Sequence, residues 1–461
     1  MSLSLRAVMA TPFREIRILT KLALPIILGN VGSMALHVVD TIMVGKLSTE
    51  ALAAAAVGGL WSWGTILLAM GVVMGIDPIV SQAHGAGDEK RVSLALQRGL
   101  LVGLVSSLVI AVLWFFSHQC LLWLQQDPVL VDEAEGYVRG QIFSIPFFMC
   151  FIVLREYLQC REIMKPVMYA TISANLFNWL ANKVLIFGYG DFEGMGLTGA
   201  GIATGLSRVF MLIVLLVLVR RGRLFNGGWT GWSREAWSRS GIAEVLRHGL
   251  PAAMHMGLEV WAFGTATAMA GVLTKNAANA SILASHQIVM NIASMTFMVP
   301  MGISFGVVTR VGNLIGRRDY ARAQHAASVA IMLGAGSMAV CGAVLFFARY
   351  QIPLLYDMHG ETLTLAAAIL PIAATFQVFD GIQVVGSGVL RGMGRTHVSA
   401  IVSFFGYWVL AIPLAWFLAF RLDYGLAGVW WGLCLGLFVV AVTLVVWIRR
   451  QGPASLDSTV P

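Results

Sequence analysis

The sequence predicts an all-α integral membrane protein with twelve transmembrane helices in two related halves. Of its 461 residues, 58% are hydrophobic and only 12% are charged, whereas an ordinary soluble domain has a charged fraction of about 25%. Apolar stretches of about 20 residues, the length at which a helix crosses a bilayer, recur along nearly the whole chain. Because features of the first half return in the second, we expect one membrane domain built by duplication.

The twelve predicted spans follow these apolar stretches in chain order. We place the six spans of the first half at 20–44, 52–77, 97–117, 134–156, 167–188 and 197–219. The six spans of the second half lie at 246–272, 282–308, 325–347, 363–389, 398–420 and 426–448.

Basic residues predict the orientation of these spans. The chain has a net charge of +8. Most of its Lys and Arg residues fall in loops on the side of the amino terminus. The opposite loops contain only Lys46, Lys183, Lys275, Arg349 and Arg421. Because positively charged loops stay in the cytoplasm, we expect both termini there, which requires an even number of spans. This distribution also accounts for the net charge without a nucleic-acid partner.

Several other classes of protein are disfavoured by the sequence. The five cysteines are far apart and form no C-x-x-C pair, so free thiols are expected and a disulfide framework or cysteine metal site is not. The chain contains no H-E-x-x-H, G-x-S-x-G or Walker pattern, which argues against an enzyme and against direct ATP drive.

An internal repeat relates the two halves, because matching residues occur in the same order in both. The pairs are Pro25 with Pro251, Gly45 with Gly271, Gly71 with Gly302, Gly75 with Gly306, Gly85 with Gly316, and Asp88 with Asp319. We therefore predict an amino-terminal six-helix lobe at 1–222, a cytoplasmic linker at 223–245, a carboxy-terminal six-helix lobe at 246–450 and a cytoplasmic tail at 451–461. Two lobes that rock against each other suit alternating access.

Three acidic residues fall inside predicted spans: Asp40, Glu259 and Asp380. An ionised carboxylate in hydrocarbon costs about 2.5 to 3.5 kcal/mol even on translocon-based scales. We therefore expect these side chains to face the protein interior or water, where each is neutralised by a proton or a bound cation. Either behaviour makes them candidate coupling sites, although a single buried acid can also serve only as a hydrogen-bonding group between helices.

Uncharged polar residues accompany these acids in the first half. Asn178 and Asn182 lie one turn apart in the fifth span, and Thr204 follows in the sixth. Amide and hydroxyl oxygens are hard ligands that suit a small cation, but they also join neighbouring helices, so sodium and proton both remain open. Arg208 in the sixth span either pairs with an acid or extends toward an interface.

Four sequence segments resemble one known family of membrane proteins. They are "ALPIILGNVGSMALHVVDTIMVGKL" around Asp40, "GLEVWAF" around Glu259, "ASHQIVMNIASMTFMVPMGISFGVVTRVGNLIG" at 284–316 and "FQVFDGIQVVGSGVLRGMGRT" around Asp380. Their order and spacing resemble the multidrug and toxic compound extrusion (MATE) transporters, particularly the NorM-like branch, over nearly the whole chain.

This resemblance implies a V-shaped pair of lobes around a central cleft, exporting cationic or amphipathic drugs in exchange for sodium or protons. It implies a carboxy-lobe cation site at Glu259 and Asp380, with sodium as a possible metal, and no other cofactor. It also implies an amino-lobe site at Asp40, Asn178, Asn182 and Thr204. The remaining residues implied to line the cleft are His286, Gln287 and Phe376.

The sequence departs from some members of the family at two of these positions. Some relatives have an acid where Asn182 stands, and some have Tyr where Phe376 stands one turn before Asp380. We therefore expect weaker cation binding in the amino lobe and no ring hydroxyl from position 376. The protein is expected to work as a monomer in the bacterial inner membrane, in contact with lipid. A lipid-linked oligosaccharide flippase of the same superfamily is the alternative.

Overall fold

The computed structural model describes residues 12–277, 279–356 and 359–459, and almost all of them are helical. The first half contains α1 (Pro12–Gly45), α2 (Thr49–Val73), α3 (Asp77–Ala86), α4 (Glu89–Phe115), α5 (Ser117–Trp123), α6 (Pro128–Arg139), α7 (Ile145–Cys160), α8 (Lys165–Phe187) and α9 (Gly196–Arg221). The second half contains α10 (Arg239–Ala277), α11 (Ala280–Gly316), α12 (Tyr320–Phe347), α13 (Gln351–Leu354), α14 (Gly360–Gly392), α15 (Thr396–Ser403), α16 (Ile412–Trp416) and α17 (Gly425–Gln451).

Short irregular elements join or interrupt these helices. The two strands, β1 (Gly188–Tyr189) and β2 (Phe192–Glu193), form one antiparallel hairpin in which Gly188 pairs with Glu193. 3-10 turns occur at Met74–Ile76, Ile142–Ser144, Arg234–Trp237 and Pro453–Thr459, and π-helical segments at Phe404–Ala411 and Phe417–Arg421. The π-helical segments complete the eleventh predicted span together with α15 and α16.

The helices have the length and composition of transmembrane spans. Within the described residues, eleven helical segments are long and apolar enough to cross a bilayer. The 23-residue α8 coincides with the predicted span 167–188 but is not among these eleven. Its sequence is less apolar because it contains Asn175, Asn178, Asn182 and Lys183. The integral membrane fold is therefore confirmed, whereas the count of twelve is not fully confirmed.

The repeat predicted from sequence recurs in the local structure. Asp88 accepts a hydrogen bond from the backbone N–H of Arg91, 2.9 Å away, and thereby caps the start of α4. Asp319 accepts one from the backbone N–H of Arg322, 3.2 Å away, and caps the start of α12. A capping carboxylate satisfies a backbone donor that has no partner in the first turn of a helix, so matched aspartates begin matched helices.

The described chain forms two compact units that α1 and α10 connect. The amino unit comprises 28–253, and the carboxy unit comprises 12–27 with the described residues from 254 onward. Each division falls two residues beyond a proline inside the helix, Pro25 in α1 and Pro251 in α10. A proline removes one helical hydrogen bond, so each helix is locally weakened there. The division of the chain at 222 and 246 stays a prediction.

Matched glycines explain how each unit accommodates the end of a helix from the other half. In the amino unit, a Cβ on Gly71, the match of Gly302, would lie 2.4 Å from the Cα of Ala253 in α10. In the carboxy unit, a Cβ on Gly302 would lie 2.3 Å from Ile27 Cγ1 in α1. Small residues permit such close helix packing inside a membrane, which gives a physical reason for the repeat of these glycines.

Candidate functional site

Two of the predicted acidic residues lie close together inside the carboxy unit. Glu259 in α10 is 9% exposed, and Asp380 in α14 is 3% exposed. The two carboxylates are within electrostatic range of each other, and Oδ1 of Asp380 has no hydrogen-bond partner among the described atoms. Like charges in a medium of low dielectric constant repel strongly, so a proton or cation at this pair would be stabilised.

A histidine beside Glu259 was not predicted from the sequence. His255 lies one turn earlier in α10, and its Nε2 is 4.0 Å from Oε2 of Glu259. Its Nδ1 is 2.9 Å from the hydroxyl of Ser403 at the end of α15. Gln383, buried in α14, lies 3.5 Å from His255 Nε2 and within hydrogen-bonding range of Glu259. These contacts join three helices around one carboxylate.

A buried tyrosine that the sequence did not single out also belongs to this region. Tyr407 is fully buried in the π-helical segment Phe404–Ala411 and is within electrostatic range of both Glu259 and Asp380. Trp408, the next residue, donates a hydrogen bond to the carbonyl of Leu258 at 3.1 Å, which fixes the segment against α10. π-Helical turns often occur at functional sites because they redirect side chains.

Aromatic rings pack around Tyr407 and Phe376. Phe376 and Tyr407 each pack edge-on against Phe263, with ring centroids 5.9 Å and 6.2 Å away. Phe376 also contacts Trp430, which stands 5.8 Å from the ring of His286. His286 is fully buried and lies 3.0 Å from the hydroxyl of Thr267, whereas the neighbouring Gln287 is exposed. The cleft-lining role of these residues stays a prediction.

The amino unit brings together the predicted polar residues of α1 and α8. Asn182 donates hydrogen bonds through Nδ2 to the Asp40 carboxylate and, over 2.9 Å, to the Oδ1 of Asn178. Both asparagines are fully buried, and the Oδ1 of Asn182 has no partner among the described atoms. The Asp40 carboxylate and the free Oδ1 of Asn182 are oxygen ligands of the kind that suits a small cation.

Thr204 is connected to Asp40 through Tyr137, which the sequence did not single out. The Thr204 hydroxyl donates to the carbonyl of Ala200 at 3.0 Å and is within hydrogen-bonding range of Tyr137. Tyr137 is in turn within electrostatic range of both Asp40 and Arg208. The four predicted residues of this site therefore lie on α1, α8 and α9, with Tyr137 of α6 as an additional member.

The donor atoms of both clusters are mostly oxygens. Within the described part of the chain, no three His, Cys, Asp or Glu side chains are grouped to hold a metal ion, and all five cysteines are free. Carboxylate, amide and hydroxyl oxygens suit a proton or a hard cation such as sodium. Such an ion would be transported rather than permanently bound.

Sequence reasoning missed His255, Gln383 and Tyr407, although each leaves a recognisable signal. His255 precedes Glu259 by four residues, and Gln383 follows Asp380 by three, so both share a helix face with an acid. Tyr407 interrupts the apolar run of the eleventh predicted span with a hydroxyl. Buried polar groups need partners, so polar residues one turn from an intramembrane acid are reasonable candidates.

Comparison with known proteins places this chain in a family. The sequence pattern of the MatE family matches residues 25–184 and 251–417. A protein named probable multidrug resistance protein NorM from Bradyrhizobium diazoefficiens is 31% identical, with 93% of this chain and 92% of the relative covered. A protein of the same name from Mesorhizobium japonicum is 32% identical over 95% and 94% of the two chains.

A solved structure shares the fold. The crystal structure of the eukaryotic MATE transporter AtDTX14 superposes with a TM-score of 0.87 and 23% sequence identity, and covers 97% of this chain and 98% of that one. The family match and the two NorM relatives show a multi-pass membrane transporter and not an enzyme. The chain belongs to the MatE family of multidrug efflux transporters.

Proposed function

We propose that this protein is a secondary active exporter that exchanges cationic or amphipathic small molecules for sodium ions or protons by alternating access. The observation that carries the proposal is the pair Glu259 and Asp380, which is buried in the carboxy unit with an unpartnered carboxylate oxygen. The duplicated fold supports it, because repeats of this kind form the moving parts of many secondary transporters.

The coupling follows from the charge of this pair. When a cation or proton binds, the repulsion between the two carboxylates is removed, and the packing of α10 against α14 and the π-helical segment becomes more favourable. A drug that binds the other conformation must weaken ion binding as much as the ion weakens drug binding. Coupling energies of about 1 to 3 kcal/mol, or 5-fold to 150-fold in affinity, are typical.

Further parts of the proposal concern location and partners. We propose the bacterial inner membrane, with both termini in the cytoplasm, because basic residues are concentrated in alternate loops. The protein acts as a monomer surrounded by lipid. The flippase alternative is not favoured, because the relatives in Bradyrhizobium and Mesorhizobium are both named as multidrug resistance proteins.

Reconstitution in liposomes tests this function. Liposomes are loaded with a fluorescent cationic dye, and sodium and proton gradients are imposed separately on the same preparation. Dye movement driven by one gradient supports the proposal and identifies the coupling ion. If neither gradient drives dye movement by the protein, the proposal is contradicted. Glu193→Gln is a matched control variant, because Glu193 is an exposed acid in the β-hairpin.

A further inference from the structure

The segment that connects α9 to α10, residues 222–238, is held against α4 and α7 by buried polar side chains. Near its start, Arg161 at the end of α7 is only 7% exposed. Its Nη1 donates to the carbonyl of Leu224 and its Nη2 to the carbonyl of Asn226, both at 2.7 Å. Hydrogen bonds from a charged group are strong, so the first part of the connecting segment has a defined position at the end of α7.

A buried glutamine of α4 fixes the depth of the middle of the connecting segment. The fully buried Gln97 donates to the carbonyl of Gly231 at 2.7 Å and accepts from the backbone N–H of Ser233 at 2.9 Å. Because the third predicted span, 97–117, begins at Gln97, this contact lies at the boundary between hydrocarbon and headgroups. Trp232 stands between the two contacts in the chain, so its backbone lies at the same depth.

Two indole rings of the connecting segment are exposed at this boundary. Trp232 is 73% exposed and Trp237 is 70% exposed. The neighbour of Trp237, Ser238, accepts a hydrogen bond through its hydroxyl from Arg98 of α4 at 3.3 Å, which keeps Trp237 near the same level. Indole rings are favoured in the headgroup region because one edge is polar and the rest is apolar. The two rings are therefore positioned to contact lipid.

Unpaired basic side chains surround these indoles. Five exposed arginines in or beside the connecting segment form no ion pair with a described residue: Arg220, Arg221, Arg223, Arg234 and Arg239. The acid within the segment, Glu235, is already paired with Lys90 at 2.9 Å. Guanidinium groups bind phosphate oxygens through two parallel hydrogen bonds, so this surface is complementary to a phosphate group.

We propose that the connecting segment binds an anionic phospholipid of the cytoplasmic leaflet. The arginines contact the phosphate, and Trp232 and Trp237 pack against the glycerol and the upper part of the acyl chains. A lipid fits better than a soluble phosphate compound, because only a lipid supplies apolar surface for the two indoles. The site rests on the proposed orientation of the spans and is independent of the export function.

Native mass spectrometry of the full chain in detergent tests the proposal with two added lipids of equal acyl composition, phosphatidylglycerol and phosphatidylcholine. The wild type should bind phosphatidylglycerol at least about fivefold more tightly, because the choline group of the other lipid competes for the phosphate charge. The double variant Arg234→Gln, Arg239→Gln should lose most of this preference. Trp232→Ala should weaken both lipids by about threefold, because the ring contacts the part of the molecule that they share.

Arg421→Gln is the matched control, because Arg421 is also an exposed arginine beside an indole, 5.5 Å from the Trp416 centroid, but lies in a loop of the opposite side. It should keep the wild-type preference. Equal binding of the two lipids by the wild type would overturn the inference, as would an equal loss of preference in the control and in the double variant. Displacement of the bound lipid by an equal concentration of glycerol 3-phosphate, which has no acyl chains, would contradict a lipid as the occupant.

Unfolding midpoints without added lipid show whether a variant has lost its fold rather than its site. They should match the wild type in the double variant and in Trp232→Ala, since all three substituted side chains are exposed. A lipid preference that persists in the folded double variant would show that these arginines do not hold the headgroup.

Discussion

The Nε2 of His255 lies 4.0 Å from the Oε2 of Glu259, one helical turn along α10. The opposite ring nitrogen is 2.9 Å from Ser403, so the imidazole is fixed between α10 and the end of α15. The fixed imidazole lies beside the Glu259 carboxylate and links α10 to the end of α15, directly before the segment that contains Tyr407. We therefore propose His255 as a positioning residue of the proposed coupling site.

Replacing His255 with alanine should raise the ion concentration for half-maximal exchange by about fivefold to tenfold, because a buried hydrogen-bond network loses a member. The maximal rate should change less, since Glu259 and Asp380 remain. Measurement of dye flux against ion concentration separates these two parameters. His255→Asn, which can still hydrogen-bond, should recover part of the loss, and His397→Ala at an exposed site should have no effect. A variant with unchanged ion dependence would show that the histidine only fills space.

Removing the Tyr407 hydroxyl tests whether it takes part in the ion site. Tyr407→Phe keeps the ring contact with Phe263 and deletes one oxygen near Glu259 and Asp380. We expect ion affinity to fall by about tenfold, because a buried oxygen that could bind the ion is removed. Tyr424→Phe is the control, because Tyr424 is 59% exposed. Identical ion titrations of wild type and Tyr407→Phe would exclude the hydroxyl from the site.

The amino unit should gain cation binding when a second acid is introduced. Asn182→Asp places a carboxylate next to Asp40, where Asn182 now donates its hydrogen bond. Two adjacent carboxylates favour a bound cation or shared proton, so we expect binding at this unit to strengthen by about tenfold. Ion binding is best measured by calorimetry in a Glu259→Gln background, which isolates the amino unit. No difference in ion binding with and without the Asn182→Asp substitution would mean that this cluster is purely structural.

A close helix contact should make Gly75 intolerant of even a methyl group. A Cβ at Gly75 would lie 2.1 Å from a backbone oxygen of Val245, whereas a Cβ at Gly59 in α2 would meet nothing within 4 Å. Gly75→Ala should therefore lower the free energy of unfolding by about 1 to 3 kcal/mol, the usual effect of overpacking. Gly59→Ala should be neutral or slightly stabilising, since alanine favours helix. Thermal denaturation of both variants in detergent provides the comparison, and equal midpoints would contradict the contact.

The membrane fold and the acids were predictable because each depends on local or simple long-range patterns. Apolar length predicts spans, and an acid such as Glu259 within a span is visible directly in the sequence. The predicted boundaries were too short, as with 246–272 against Arg239–Ala277, because helices continue beyond the hydrocarbon core into polar residues. The α8 helix also showed that polar residues needed for a site reduce the apolar signal of a span.

Partners contributed by other helices could not be predicted. Tyr407 lies in a π-helical segment that Trp408 fixes to α10, and no sequence pattern specifies that geometry. The surroundings of Arg208 could not be predicted either, because its guanidinium stands over the rings of Trp114 in α4 and Phe148 in α7.

The most direct test of the account is gradient-driven dye exchange in liposomes by Glu259→Gln and Asp380→Asn, with Glu193→Gln alongside. Each amide keeps the size of the side chain but cannot exchange a proton or balance a cation. Both variants should therefore lose at least about 99% of coupled flux, which corresponds to an increase of roughly 2.7 kcal/mol or more in activation free energy. Dye binding and expression should be retained, and the control should transport normally. Wild-type, gradient-dependent exchange by both Glu259→Gln and Asp380→Asn would contradict the assignment of this buried pair as the coupling site.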